Sequence, residues 1–173
     1  MDAALLGLVI ALMVVAITLI LCFAVLRRSM REDRSRRAAL ELPVGATRLT
    51  GIYGSQTNAV LKRIARHAGT PFVGTGQRFT VVLGDDAISF WRGANVPRRI
   101  IRIPVTSIRD VSTGVTGFGN SSFPTIFLGV TFGGRTYDLQ LRLANANGVW
   151  NASSGELRAY ANQIRQLIPP STQ

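Results

Sequence analysis

Few residues in this chain have the type and spacing that bond-breaking chemistry requires. His67 is the one histidine and Cys22 the one cysteine, too few for the three or four protein ligands of a zinc site. Cys22 also lies inside an apolar run, so no internal disulfide is possible and a reducing compartment is compatible. An activated nucleophile needs a base that a carboxylate orients, whereas the neighbours of His67 in an expected helix are Arg63 and Arg66. The adjacent acids Asp85 and Asp86 follow Gly84 and suit a tight turn, where Asp side chains bond the local backbone. Asp110 and Asp138 fall on strand positions expected to face solvent. The segment Gly114-Val115-Thr116-Gly117-Phe118-Gly119-Asn120-Ser121-Ser122 is rich in glycine, but it lacks the Lys-Ser/Thr ending and following helix of a phosphate-binding loop. It reads as a long flexible connection, part of a loop from Thr113 to Pro124, with Phe118 placed to touch a bilayer or a partner. The residues point away from an enzyme, and neither a cofactor nor a metal site is expected.

Recognition by charge is better supplied. The formal net charge is +11, and from Pro43 onward fourteen basic residues face five acidic ones. Lys62, Arg63 and Arg66 form a cluster that, with Arg98 and Arg99, is the candidate face for anions or lipid headgroups; the alternative is a solvated basic surface that only favours membrane proximity. Arg27, Arg28, Arg31, Arg34, Arg36 and Arg37 follow the apolar run and are the candidate juxtamembrane lipid contacts. Beside an anionic leaflet each such residue adds about 1 kcal/mol. The same charge suits nucleic acid, but tethering makes lipid the simpler explanation, and no nucleic acid is expected. Trp91 and Trp150 suit either recognition or packing at the edge of a core.

These residues are positioned by the first stretch of the chain. Ala3 to Leu26 holds no charged residue, no Asn, no Gln and no Pro. As a helix it would measure roughly 36 Å, enough to cross a hydrocarbon core of about 30 Å with some tilt. A cleaved signal peptide would have a basic start and a small-residue cleavage site after the apolar run; here Asp2 precedes the run and arginines follow it. Basic flanks stay on the cytoplasmic side. The expected topology is therefore a single-pass inner (plasma) membrane protein with residues 1–2 outside and everything after Leu26 in the cytoplasm. Ala3, Gly7 and Ala11 recur every fourth residue, a small-residue pattern that permits helix pairing and a homodimer.

Residues 27–46 read as an Arg-rich juxtamembrane helix and linker, with Pro43 as the natural stop. The domain follows over 47–168, with a tail at 169–173. Its expected elements are a strand from Arg48 to Gly54, a helix from Thr57 to His67, then short runs of period two: Arg78 to Leu83, Ala87 to Arg92, Arg99 to Ile103 and Ser107 to Ser112. A hairpin follows from Thr125 to Phe132 and Arg135 to Leu143 across Gly133-Gly134. In its second arm apolar and polar residues alternate, the habit of an antiparallel sheet with one wet face. Ser153 and Glu156 make a capping box. The stripe Leu157, Tyr160, Ala161, Ile164, Leu167 and Ile168 then marks an amphipathic C-terminal helix.

This order of elements resembles a pleckstrin-homology-like domain. GIYGS (Gly51 to Ser55), KRIARHAG (Lys62 to Gly69), the LGDDAISFWR hairpin and the IRIPVTSIRDV segment resemble small bacterial membrane proteins in which one N-terminal span carries such a domain. The resemblance covers about Arg48 to Ile168. It implies a bent, half-open barrel of seven antiparallel strands, mostly β with α+β character, one end plugged by the last helix. Relatives that bind inositol phosphates use clustered basic residues on the first two strands and their connection, which here holds Lys62, Arg63, Arg66 and His67. The expected function is a membrane-anchored, non-catalytic interaction or scaffold module that receives a protein partner at a sheet edge or open barrel end. The alternatives are binding of anionic lipid headgroups by the basic face, and service as an accessory subunit of a membrane transporter or enzyme complex.

Overall fold

A computed structural model describes residues 3–42, 45–118 and 121–169, without the side chains of Ala3, Ala4 and Phe118. Residues 1–2, Pro43, Val44, Gly119, Asn120 and 170–173, which carry parts of the expectations above, lie outside the described residues.

Helix α1 runs unbroken from Ala3 to Ala39, because neither Pro nor an interior Gly interrupts the passage from the apolar run into RRSMREDRSRRAA. Every described side chain from Leu5 to Arg28 is exposed. A continuous apolar surface of this kind needs a cover that the domain does not provide, and α1 is long and apolar enough to cross a membrane. Thr18 satisfies its hydroxyl within the helix by donating to the Val14 carbonyl at 2.8 Å.

Among the described residues the domain holds seven antiparallel strands, two α-helices and a 3-10 turn at Val105–Ser107. The strands and α-helices are β1 (Thr47–Ile52), α2 (Ser55–His67), β2 (Arg78–Leu83), β3 (Ala87–Arg92), β4 (Arg98–Pro104), β5 (Ile108–Phe118), β6 (Ser121–Phe132), β7 (Arg135–Leu143) and α3 (Ser154–Leu167). The strands form one open sheet in the order β4-β3-β2-β1-β7-β6-β5. The two halves join where β1 meets β7, through the pairs Gly51 with Leu143 and Ile52 with Arg142 and the Ala144 amide, which donates to the Thr50 carbonyl at 2.8 Å. Both halves feed one apolar core, where Phe79, Phe90, Ile103, Ile126, Leu139 and Leu141 are fully buried. α2 adds Leu61, Ile64 and Ala65, and α3 adds Leu157, Ala161 and Ile164, each set recurring on one helix face. Gly51 is required beside this core, since a Cβ there would overlap the ring of Phe79.

Most of the expected elements are present within a residue or two. The capping box forms as read: Ser153 Oγ accepts from the Glu156 amide, and the Glu156 carboxylate accepts from the Ser153 amide at 2.8 Å. Gly133 and Gly134 both have positive φ, 57° and 74°, as a two-residue hairpin turn requires.

The segment from Thr113 to Pro124 departs from expectation. Instead of a flexible loop it is the outer half of a long hairpin, paired from Thr113 with Ile126 out to Phe118 with Ser121. Its glycine content misled. A Cβ on Gly114 would come within 2.9 Å of the Phe127 ring, so this glycine makes room for an aromatic neighbour inside a ladder. Thr116 and Thr125 tie the two arms through hydroxyls 2.7 Å apart.

Candidate functional site

The most developed polar arrangement is where the end of α1 meets the sheet. Burial on α1 begins at Ser29 and Met30 and recurs at Asp33, Arg36 and Arg37, followed by Leu40 just past the helix end. That is three- and four-residue spacing, one helix face, yet it is built largely of charge. Asp33 is 4% exposed and Arg36 2%. The Asp33 carboxylate accepts from Arg36 Nη2 at 2.6 Å and from the Thr50 hydroxyl at 3.0 Å, and pairs with Arg37 Nε at 3.0 Å. Arg36 also donates Nε to the Thr80 hydroxyl at 2.8 Å and Nη1 to the Gly93 carbonyl at 3.0 Å. Thr50 and Thr80 face each other across the β1–β2 ladder, so two adjacent strands present the hydroxyls that receive the pair. Burial pushes the Arg36 guanidinium below its ordinary value, and the charge of Asp33 opposes that shift. Arg48 strengthens the junction by donating to the carbonyls of Arg37 and Leu40, both at 2.8 Å, which are orphan acceptors at a helix C-terminus.

Loops complete the junction. A cleft of about 350 Å³ separates Val25, Arg28 and Glu32 from Thr75, Gln77 and Gly93. Ala94 and Asn95 line a second concavity with Ala24, Arg27 and Arg31. Asn147, Gly148 and Val149 lie against Met30, Asp33, Arg34 and Arg37. Arg78 ties that last loop down by donating to the carbonyls of Gly148 and Val149, and burial lowers its pKa as well. Arg92 holds the loop after α2 through the Val73 and Gly74 carbonyls.

The candidate basic residues divide accordingly. Arg27, Arg28, Arg31 and Arg34 are exposed on α1. Arg28 pairs with Glu32 at 3.0 Å, a surface contact worth little in water. Arg36 and Arg37 both pair with Asp33, three and four residues back on the same helix face, Arg36 buried and Arg37 with 29% of its side chain exposed. Lys62, Arg63 and Arg66 are exposed on α2, whose last residue lies against Gly133 of the β6–β7 turn. Arg98 and Arg99 are exposed at the opening of β4, beside the β3–β4 turn. The two groups thus sit on separate elements and share no hydrogen-bond partner among the described residues. Arg99 lies 5.9 Å from the centre of the Trp91 ring, while Trp150 is 71% exposed. On α1, Gly7 and Ala11 are open to the surroundings, and the Ala3 side chain lies outside the described residues.

His67 is committed structurally, its Nδ1 lying 3.0 Å from the Arg63 carbonyl and 2.9 Å from the Tyr137 hydroxyl. Asp86 forms an ion pair with Arg102 beside the β2–β3 turn, and Asp110 and Asp138 face solvent. Among the described residues no group of three or more His, Cys, Asp or Glu converges.

A different feature lies at the far edge of the sheet. α3 covers only the start of β5, where Arg165 donates twice to the Val111 carbonyl, at 3.1 and 2.8 Å. From Ser112 outward β5 pairs with β6 on one side, and no other strand among the described residues pairs with its other side; Val115 on it is 62% exposed. Thr116 and Gly117 of that edge strand line a small cleft, about 110 Å³, with Thr57, Phe123 and Arg142. The Arg142 guanidinium lies 3.8 Å from the Phe123 ring centre, and burial lowers its pKa.

Sequence reasoning missed Asp33 as the hub of the junction. The signal was present: one acid followed by arginines at three and four residues, on a face that begins with Met30 and continues to Leu40. Its strand partners Thr50 and Thr80 carried none. Compared with known proteins, the chain matches no family model, no curated protein and no solved structure.

Proposed function

We propose that this protein is a single-pass membrane anchor carrying a non-catalytic, pleckstrin-homology-like interaction domain that captures an extended segment of a partner protein. One observation carries the reading: the outer half of β5, Ser112 to Gly117, presents an exposed strand edge that neither α3 nor another strand covers. Such an edge offers unpaired backbone N–H and C=O groups in register for an added strand. The neighbouring cleft at Thr116, Phe123 and Arg142 supplies a pocket for one side chain of the incoming strand, which is how backbone pairing acquires specificity. The continuous sheet order and the closing C-terminal helix support the pleckstrin-homology-like identity, as does the resemblance of the segments from Gly51 to Val111. The basic flank after Leu26 supports a cytoplasmic domain, facing the inner leaflet.

The test is a photo-crosslinking amino acid at Val115 in the full-length chain in native membranes. A discrete protein adduct is expected, lost when Val115→Lys and Thr113→Lys are introduced at the edge with the crosslinker moved to Gly117. No adduct at either position, or adducts indifferent to the lysines, would overturn the reading. Both lysines occupy exposed positions, so the fold is expected to survive them.

A further inference from the structure

Outside α1, the large apolar side chains left most exposed among the described residues are Tyr53, Val73, Val96, Val115 and Trp150. Val115 belongs to the β5 edge. Val73, Val96 and Trp150 lie in, or at the end of, three loops that line clefts with α1 between Ala24 and Arg37, and Tyr53 donates its amide to Gln77 of the first loop at 3.0 Å. Scattered exposed apolar residues are ordinary, but a cluster at one end of a domain marks a contact.

The position of that end is set by α1. Ala94 and Asn95 lie beside Ala24 and Arg27, and Thr75 to Gln77 lie across from Val25 and Arg28. These are the helix residues at which the apolar run gives way to arginine. The third loop lines a cleft with Met30, Asp33, Arg34 and Arg37, the first of which stands roughly 6 Å beyond Leu26 at 1.5 Å per residue. A headgroup layer is about 5–8 Å deep on each side of the hydrocarbon, so an α1 standing in a bilayer carries the first two loops into that layer and brings Trp150 to its outer margin.

Charge agrees with position. The segments 70–77, 93–97 and 145–150 contain no acidic residue, and Arg27, Arg28, Arg31 and Arg98 are exposed around them. Of the acids near the α1 arginines, Glu32 pairs with Arg28 and Asp33 is enclosed in the junction; one acid touches the rim, Glu156, which accepts from the Ala146 amide of the third loop at 3.2 Å. Because the Asp33–Arg36 pair and the Arg48 contacts lock α1 to the sheet, the loops have a defined height relative to the membrane.

We propose that this three-loop rim is a second membrane contact: Val73 and Val96 seat in the headgroup–acyl boundary of the leaflet that α1 leaves, Trp150 anchors at the interface, and the arginines face anionic headgroups. The occupant is the surface of an anionic bilayer. Tryptophan and tyrosine favour this zone, and amphipathic arginine side chains keep their charge in the headgroup layer while their stems lie along apolar surface. The inference rests on α1 spanning a bilayer, and is independent of any partner at β5.

The experiment uses the full chain in nanodiscs of mixed phosphatidylcholine and phosphatidylglycerol, with Cys22→Ser as background. Single cysteines replace Val73, Val96, Val115 and Met13 in turn, each carrying an environment-sensitive fluorophore. Shallow nitroxide lipids are expected to quench positions 73 and 96 several-fold more than 115, with aqueous iodide showing the reverse order and position 13 shielded from iodide. Trp150 emission is expected to shift to shorter wavelength when phosphatidylglycerol is added. If 13 reads as buried while 73 and 96 behave like 115, the rim does not touch lipid and the proposal fails with the span intact. If 13 is itself open to iodide, the spanning premise fails and the proposal with it. Shielding of 73 and 96 in native membranes but not in nanodiscs would assign the rim to a protein instead, and would equally overturn it.

Discussion

Removal of the Asp33 carboxylate tests whether the domain is locked to α1. In Asp33→Ala the Arg36 guanidinium, 2% exposed, keeps Thr80 and the Gly93 carbonyl but loses its counter-charge. Arg37 is less enclosed, its side chain 29% exposed, and turns to water. Thr50 loses its carboxylate acceptor. Breaking a buried pair by deleting one partner costs about 3–5 kcal/mol, most of it from stranding Arg36. At 1.4 kcal/mol per tenfold, the docked-to-undocked ratio falls by roughly 10²- to 4 × 10³-fold. Hydrogen exchange of 29–40 in the reconstituted chain measures it, with trypsin cleavage after Arg36 and Arg37 as a second readout, because undocking exposes these sites while the sheet core stays folded. Arg36→Met is expected to cost less, since Asp33 keeps Arg37 and Thr50. The double variant Asp33→Leu, Arg36→Met replaces the pair by apolar groups and should recover most of the loss. An Asp33→Ala effect under about 1 kcal/mol, or additive effects in the double variant, would refute the buried-lock reasoning. High salt should leave docking nearly unchanged, as enclosed pairs are poorly screened.

Three further outcomes follow from the packing. Gly51→Ala should destabilise the domain by about 1–3 kcal/mol in urea unfolding, because its Cβ overlaps the fully buried Phe79 ring; Gly129→Ala should be far milder, since it meets only the Asp110 carboxylate, which can swing into solvent. Leu61→Ala and Ile64→Ala, both at 0% exposure, should each cost about 2–5 kcal/mol in the same assay. The Glu156 carboxylate is held below its ordinary value of 4.5 by the Ser153 amide first, then by the Ala146 amide and the Ser153 hydroxyl. A lowered folded-state pKa stabilises above the unfolded value and is lost as pH falls through the folded one, so thermal melting of the wild type should decline below about pH 4.5 more steeply than that of Glu156→Gln.

Elements whose signal is local were legible from the sequence. The apolar run of α1, the period-two strands, the Gly133-Gly134 turn and the capping box at Ser153 each depend on neighbours within a few residues, and each forms where its pattern stands. The glycine-rich arms of β5 and β6 were not legible, because Gly114 reads as punctuation until Phe127, thirteen residues on, is seen to need its space. The basic candidates divided in the same way: exposure of Lys62, Arg63 and Arg66 follows from the helical period of α2, while the fate of Arg36 depends on Thr80 and Gly93, far along the chain.

By itself the sequence determined that a long apolar helix precedes a basic, β-rich domain closed by a helix, since hydropathy and period are properties of consecutive residues. Only the tertiary structure decided that α1 is built into the domain, that the loops after α2, β3 and β7 gather at its end, and that the outer half of β5 stays uncovered. These depend on which distant segments meet, and a meeting of that kind leaves no trace in local spacing: the same Asp33 would be solvated on a free helix, and becomes a lock only because two strands bring Thr50 and Thr80 to face it.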